Sequence, residues 1–303
     1  MKTKTAKAVS RSTDIPVSKQ YAKRGRTAEI WHSIKRNKGA VAGLVFIIIL
    51  ILMTVYSLLF ISYDQVIASS MQSLAKPSFV HPFGTDELGR DLFLRVIYGT
   101  RYSLVIGIGS VFIALCIGMV FGAIAGFYGG RAVDTLIMRI SDILLSIPGL
   151  LLGMVIVTVL TPSLTSLIIA VSIPAVPNLV RITRASVLTQ SSQEYVEASR
   201  AIGMSDLRII FTQVVPNGLS PIIVMTTSLI GVTIIVAAQL SFLGFGIPMP
   251  TPEWGALVST GRGVIRVAPL LTFFPGLFIM VTVLAFNIIG DGLRDALDPK
   301  LKR

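Results

Sequence analysis

Residues 40–62 read AVAGLVFIIILILMTVYSLLFIS, twenty-three positions without a charge. A helix that crosses a bilayer needs about 20 apolar residues, because each residue rises about 1.5 Å and the hydrocarbon core is about 30 Å thick. Lys35, Arg36 and Lys38 stand immediately before the run. A cleaved leader is the rival reading, and it fails because the basic region is too long and the run exceeds an h-region of about 7–15 residues. This stretch therefore predicts a first membrane span, and the rest of the chain agrees with it. Of 303 residues, 53% are hydrophobic and 14% charged, with mean hydropathy +0.78. Soluble domains carry about 25% charged residues, so a water-soluble pair of domains is excluded, as is disorder.

Further apolar runs extend the count. Tyr102–Gly130 is uncharged and gives a span over 102–128. Residues 143–180 lack charges but are too long for one crossing. Thr161-Pro162-Ser163 breaks them, since proline lacks a backbone donor and disfavours helix in the residue before it, predicting spans 133–160 and 163–180. Residues 209–252 are again uncharged, with Pro216 near the start, and predict a span over 218–243. The last span is predicted over 267–290. Six spans leave both termini on one side. With the N-terminus inside, the inner segments 1–39, 129–141, 181–216 and 291–303 hold 21 Lys/Arg and the outer segments six, the bias expected for N-in, C-in.

The net charge of +12 is concentrated in one tail: residues 1–40 hold eleven Lys/Arg against Asp14 and Glu29. Topology and contact with anionic lipid account for it without nucleic acid. Cys116 alone cannot form an internal disulfide, and His32 and His81 cannot build a metal centre, so no metal site is expected.

The longest inner connection, 181–216, reads RITRASVLTQSSQEYVEASRAIGMSDLRIIFTQVVP. Residues 193–202 have helical composition, Gly203 is a natural helix stop, and Ser205-Asp206 can cap a second short helix through Phe211. Ordinary helix connections are about 2–8 residues long. An ordered unit of this length predicts a docking partner, with a short helix fitting a groove on a soluble protein.

Glu197-Ala198-Ser199, Gly203 and Val215-Pro216 resemble the cytoplasmic loop signature of ABC importer permeases: a Glu-Ala-Ala triplet, Gly four residues later, then hydrophobe-Pro. Ser199 for the second Ala and Gln213 for Ile are mild departures. HPFGTDELGRD at 81–91, RVIYGTR at 95–101, FLGFGIP at 242–248 with PEWG at 252–255, and NIIGDGLRDALDP at 287–299 are similar to the dipeptide/oligopeptide/nickel branch. The likeness covers about 34–303, and the anchor span before the Gly-Thr-Asp motif resembles the C-type permease of that branch.

The resemblance implies an all-α, six-helix inner-membrane subunit with the type I ABC importer permease fold in the bacterial cytoplasmic membrane. Its parts would be a basic tail (1–39), an anchor helix (40–62), an external segment with an amphipathic helix (63–100), a permease core (101–290) and a second tail (291–303). It also implies a homologous second permease, two ATPase subunits that bind ATP and Mg, and an extracytoplasmic binding protein. Coupling to the ATPases would fall to Glu197, Ala198, Ser199, Arg200, Gly203 and Asp206. The cargo it implies first is short peptides, with a nickel or metal chelate and glutathione as alternatives. The chain itself would be non-catalytic. Gly84 and Gly89 have P-loop spacing, but the Lys and Ser/Thr are missing and Asp86, Glu87 and Asp91 would repel phosphate.

Single features admit two readings each. Gly118, Gly122 and Gly126 permit close helix approach, inside the chain or to a partner permease. Arg139 and Asp142, three apart, can pair near the end of a span, and a proton relay involving Asp134 is the sharper alternative. Thr226, Thr227, Thr233, Gln239 and Asn287 either line a path or bond between helices. Pro248 and Pro250, with Pro252, predict a rigid outer loop that forms part of an external gate together with Trp254, read with Trp31 as an interfacial anchor. An ion-coupled secondary carrier is the rival class; it would show conspicuous intramembrane charges and an internal repeat, whereas every span except 133–160 lacks charges and no repeat is evident.

Overall fold

A computed structural model describes residues 26–70 and 72–297, so most of the basic tail and Asp298–Pro299 of the last motif lie outside the described residues. The described residues contain no strand. Short helix α1 (Arg26–Arg36) precedes α2 (Lys38–Phe60), whose start is capped by Asn37 accepting from the Ala40 N–H. α3 (Tyr63–Ile67) opens the external segment, and α4 (Leu92–Phe127) begins at Asp91, which accepts from the Leu94 N–H. Thirty-six residues make α4 about 54 Å long, well beyond a bilayer core. Residues 92–100 form the start of α4, joined to a looped segment pinned by the Thr85–Asp91 bridge.

The core is the pairing of α4 with α7 (Leu164–Ser191). Gly118, Gly122 and Gly126 face α7 of the same chain. A Cβ added at Gly118 would lie 2.5 Å from Leu179 Cβ, one at Gly122 2.6 Å from the Val180 carbonyl oxygen, and one at Gly126 2.6 Å from that of Arg184. The glycine stripe is thus an internal seam. α11 (Leu219–Phe242) packs against α4, α7 and α13 (Leu270–Leu297), and α2 lies along α13 with Gly43 against the Ala285 backbone.

The region expected as one span over 133–160 is two helices, α5 (Ala132–Ser146) and α6 (Gly149–Leu160), bent by 90°. Pro148 is the cause: it holds Ile147 extended (φ −96°, ψ 126°) and stops the ladder. Five helices are individually long and apolar enough to cross a membrane, and this bent pair makes a sixth crossing if counted as one. α7 continues well past residue 180, with Pro174 and Pro177 inside it, and carries the chain directly toward the long connection. α8 (Glu194–Ala201), α9 (Asp206–Ile209), a widened π-turn over Ile210–Val214 and α10 (Val215–Asn217) complete that connection, and α12 (Trp254–Arg262) lies between α11 and α13 at the opposite end.

Because the seam has no spare volume, Gly122→Leu should cost about 1–3 kcal/mol or more by overpacking. It is expected to reduce the amount of folded chain recovered from membranes and its melting temperature in detergent. Gly276→Ala, where nothing lies within 4 Å, should leave both unchanged.

Candidate functional site: the loop between α7 and α11

α8 ends in a Schellman arrangement. The Gly203 N–H donates to the Arg200 carbonyl at 2.9 Å and the Met204 N–H to that of Ser199 at 3.1 Å. Gly203 has φ +81° with no atom near its missing Cβ, so glycine is required there by backbone conformation alone. The Ser199 hydroxyl donates back to the Tyr195 carbonyl at 2.8 Å, which accommodates a polar residue where the signature has Ala. Ser205 stands before α9 but makes no side-chain cap, contrary to expectation. Asp206 instead accepts from the Tyr128 hydroxyl at 3.0 Å, tying the start of α9 to the end of α4.

The underside of the loop is apolar and closed. Val196, Ile209, Ile210 and Val214 are fully buried against Ala123, Phe127 and Val187 of α4 and α7. Arg200 sits over the Phe127 ring, 4.9 Å from its centre, and Tyr195 donates to Gln190 at 3.0 Å. The π-turn ends at Val214, two residues before Pro216, which has no N–H to continue the ladder. The upper face is different. Glu197 and Ala198 are exposed, and so are the large apolar residues Ile202 (78%), Leu207 (61%) and Phe211 (43%). Sequence reasoning found the triplet and the glycine. It missed Phe127 and Tyr128, which seat them from the distant end of α4, and Tyr195, whose tie to Gln190 no motif marks.

Two ion pairs brace the same end. Asp134 accepts a forked contact from Arg184, at 2.5 Å from Nε and 2.7 Å from Nη2, and also the Gly130 N–H at 2.9 Å. Asp142 accepts from Arg181 at 2.6 Å. The expected Arg139–Asp142 pair is therefore not formed; the helix α7 supplies both cations to α5. Arg181 and Arg184 are three apart and share a face of α7, from which both reach α5.

At the far end, Trp254 is fully buried rather than interfacial, and its indole N–H donates to the Val96 carbonyl at 3.0 Å. Glu253 beside it is also buried and accepts from the Gly255 and Ala256 N–H groups at 2.9 and 3.0 Å and from Ser103 at 3.2 Å. Burial pushes its carboxyl above the ordinary range, and the backbone donors pull the other way. Pro248 and Pro250 lie in the 243–253 connection that this anchor fixes, and Arg95 reaches the Pro250 carbonyl.

A bundle with a bent helix pair, a long ordered loop seated on two core helices and a free apolar crest defines a membrane permease that works with a separate protein. The chain belongs to the family of binding-protein-dependent transport system inner membrane components, whose pattern matches residues 118–303, preceded at 25–77 by the N-terminal transmembrane domain of oligopeptide transport permease C. It is a multi-pass inner-membrane ABC importer permease. It is 45% identical over 287 residues (95% of this chain, 94% of the relative) to the dipeptide transport system permease protein DppC of Alkalihalophilus pseudofirmus. It is 42% identical over 269 residues (89% and 88%) to the oligopeptide transport system permease protein OppC of Bacillus subtilis. A glutathione transport system permease protein, GsiD of Pectobacterium atrosepticum, is 40% identical over 289 residues (95% and 96%). A chain of the MetNI methionine ABC transporter in an inward-facing form shares the fold at TM-score 0.57 and 18% identity, covering 68% of this chain and 98% of that one.

The Asp134–Arg184 contact predicts a charge-reversal result. Asp134→Arg and Arg184→Asp should each lower recovery of folded chain, because a buried charge left alone costs about 3–5 kcal/mol. The double swap should restore much of it, read as melting temperature in detergent.

Proposed function

We propose that this chain is one half of the translocation path of an ATP-driven importer for short peptides. It pairs with a homologous second permease, sits on two ATPase subunits that hold ATP and Mg, and receives cargo from an extracytoplasmic binding protein. The chain lies N-in, C-in, which puts the α8 loop in the cytoplasm; the 21-to-six distribution of Lys/Arg supports that orientation. The observation that carries the reading is the two-faced loop: a buried base on α4 and α7 under an exposed crest of Ile202, Leu207 and Phe211 beside Glu197. Exposed apolar residues on a short rigid helix fit a cleft on a soluble subunit. Glu197, Ala198, Ser199, Arg200, Gly203 and Asp206 then act in coupling, some by contact and some by holding the turn.

The mechanism follows from two discrete arrangements. ATP binding draws the ATPases together and carries the α8 loops with them. Because α8 follows α7 after two residues and its base is packed on α4, the shift is delivered to the longest helices of the bundle. The bundle exchanges an inward-open for an outward-open state, and hydrolysis resets it. Each ligand biases the exchange only by the difference in its affinity for the two states.

Peptide cargo is supported by relatives whose names specify dipeptides and oligopeptides, at 42–45% identity. Glutathione, named for relatives at 40–42%, is itself a tripeptide-like alternative. Uptake of labelled dialanine by cells carrying the whole system, with glutathione as competitor, separates the two. In the same assay Glu197→Lys and Gly203→Val should cut uptake at least tenfold while the chain remains in the membrane. The strain of a β-branched residue at φ +81° acts only on the turn. Normal uptake by both variants would remove the coupling assignment.

A further inference from the structure

At the end of the bundle opposite the α8 loop, a cavity of about 400 Å³ lies between the external segment, the start of α4 and α12. That size falls within the range of about 300–1,000 Å³ usual for small-ligand sites. Its walls combine Leu92, Met249, Leu257 and Leu271 with four charged side chains, Asp86, Glu87, Arg90 and Arg95. The charges are unequally satisfied. Asp86 lies 2.7 Å from Arg90 Nε and 3.8 Å from Arg95 Nε, so one carboxylate serves two guanidinium groups. Arg95 is 1% exposed, and its two remaining nitrogens reach only the Val66 and Pro250 carbonyls, both at 3.4 Å. Its Nε makes no hydrogen bond. Glu87, by contrast, is exposed at the rim and takes part in no ion pair among the described residues.

A buried cation costs several kcal/mol unless it is paired and fully hydrogen-bonded. Here the deep wall holds one positive charge in excess and the rim one free negative charge. A ligand that relieves both has a carboxylate at one end and an ammonium at the other, with a small apolar body between them.

We propose that this cavity is a subsite for the zwitterionic backbone of a short peptide. The peptide carboxylate turns toward Arg95 and its ammonium toward Glu87, with an aliphatic side chain against Leu257 and Leu271. The proposal rests on the peptide reading of the cargo and on the orientation that places this end outside. It assigns the permease its own contact with cargo, separate from that of the binding protein.

The test uses the purified complex of both permeases and the ATPases, without binding protein, in phosphatidylcholine nanodiscs. Calorimetric titration with dialanine should show saturable binding. Dialanine acetylated at its amine, or amidated at its carboxyl, should bind at least tenfold more weakly. Arg95→Lys and Glu87→Gln should each weaken dialanine binding by a similar factor, and if Arg95→Lys fails to assemble, the exposed Glu87→Gln decides. Absence of binding to the unaltered complex, equal binding of the blocked peptides, or full binding by Glu87→Gln overturns the subsite. Loss of dialanine binding when phosphatidylethanolamine replaces phosphatidylcholine also overturns it, since the cavity then takes a lipid headgroup with a primary ammonium. Dialanine uptake by the complete system, measured in parallel, keeps the two claims apart: uptake without binding removes the cavity alone, and no uptake of any peptide removes the cargo reading with it.

Discussion

The contact on which the molecule depends is the glycine seam between α4 and α7. In a bilayer there is little hydrophobic drive between helices, because lipid tails are as apolar as leucine; helices associate through close packing and backbone proximity. Glycine at 118, 122 and 126 removes side chain from one helix for more than two turns, so α4 meets the α7 backbone directly at Val180 and Arg184. α5, α11 and α12 then take their places from this pair. α11 lies on both members, α5 is held to α7 by its two aspartates, and α12 hangs on α4 through Trp254 and Ser103.

The same seam explains how a loop of short helices can be stiff. α8 and α9 have 8 and 4 residues, far below the length at which an isolated helix holds in water. Their order comes from tertiary contacts: the buried base formed by Val196, Ile209 and Ile210, the Tyr128–Asp206 hydrogen bond, and Arg200 over Phe127. Since the base sits where α4 and α7 leave the seam, a displacement of the loop is a displacement of those two helices. The crest residues Ile202 and Leu207 contribute nothing to that base, which leaves them free for a partner.

Much of this was legible in the chain itself, for identifiable reasons. Span positions follow from uncharged length, which the bilayer fixes, and the α8–Gly203 turn follows from a conformation that only glycine adopts easily. Pairings were less legible. The i, i+3 spacing points Asp142 to Arg139 on its own helix, whereas Arg181 on α7 takes it, because the sequence carries no distance between helices. Trp254 resembled an interfacial tryptophan because the usual statistics describe residues facing lipid; this one meets Val96 and Phe278 inside the bundle. The 90° bend at Pro148 was signalled by the proline yet hidden by the unbroken hydropathy around it.

Charge placement shows what kind of motion the bundle can support. The paired charges lie at its two ends: Asp134–Arg184 and Asp142–Arg181 near the α8 loop, and Asp86–Arg90 with His81–Asp91 at the other. The glycine seam, which starts beside Arg184 at Gly126 and runs inward to Gly118, relies on shape, with small residues against backbone. A packed interface of this sort has few intermediate positions, since sub-ångström shifts already lose contact, so it favours switching between discrete states over continuous bending. Ion pairs at the ends can re-form after such a step, whereas a polar network in the middle would have to be broken inside the bilayer. The distribution therefore suits a subunit whose ends receive forces from soluble partners and whose centre moves as one piece.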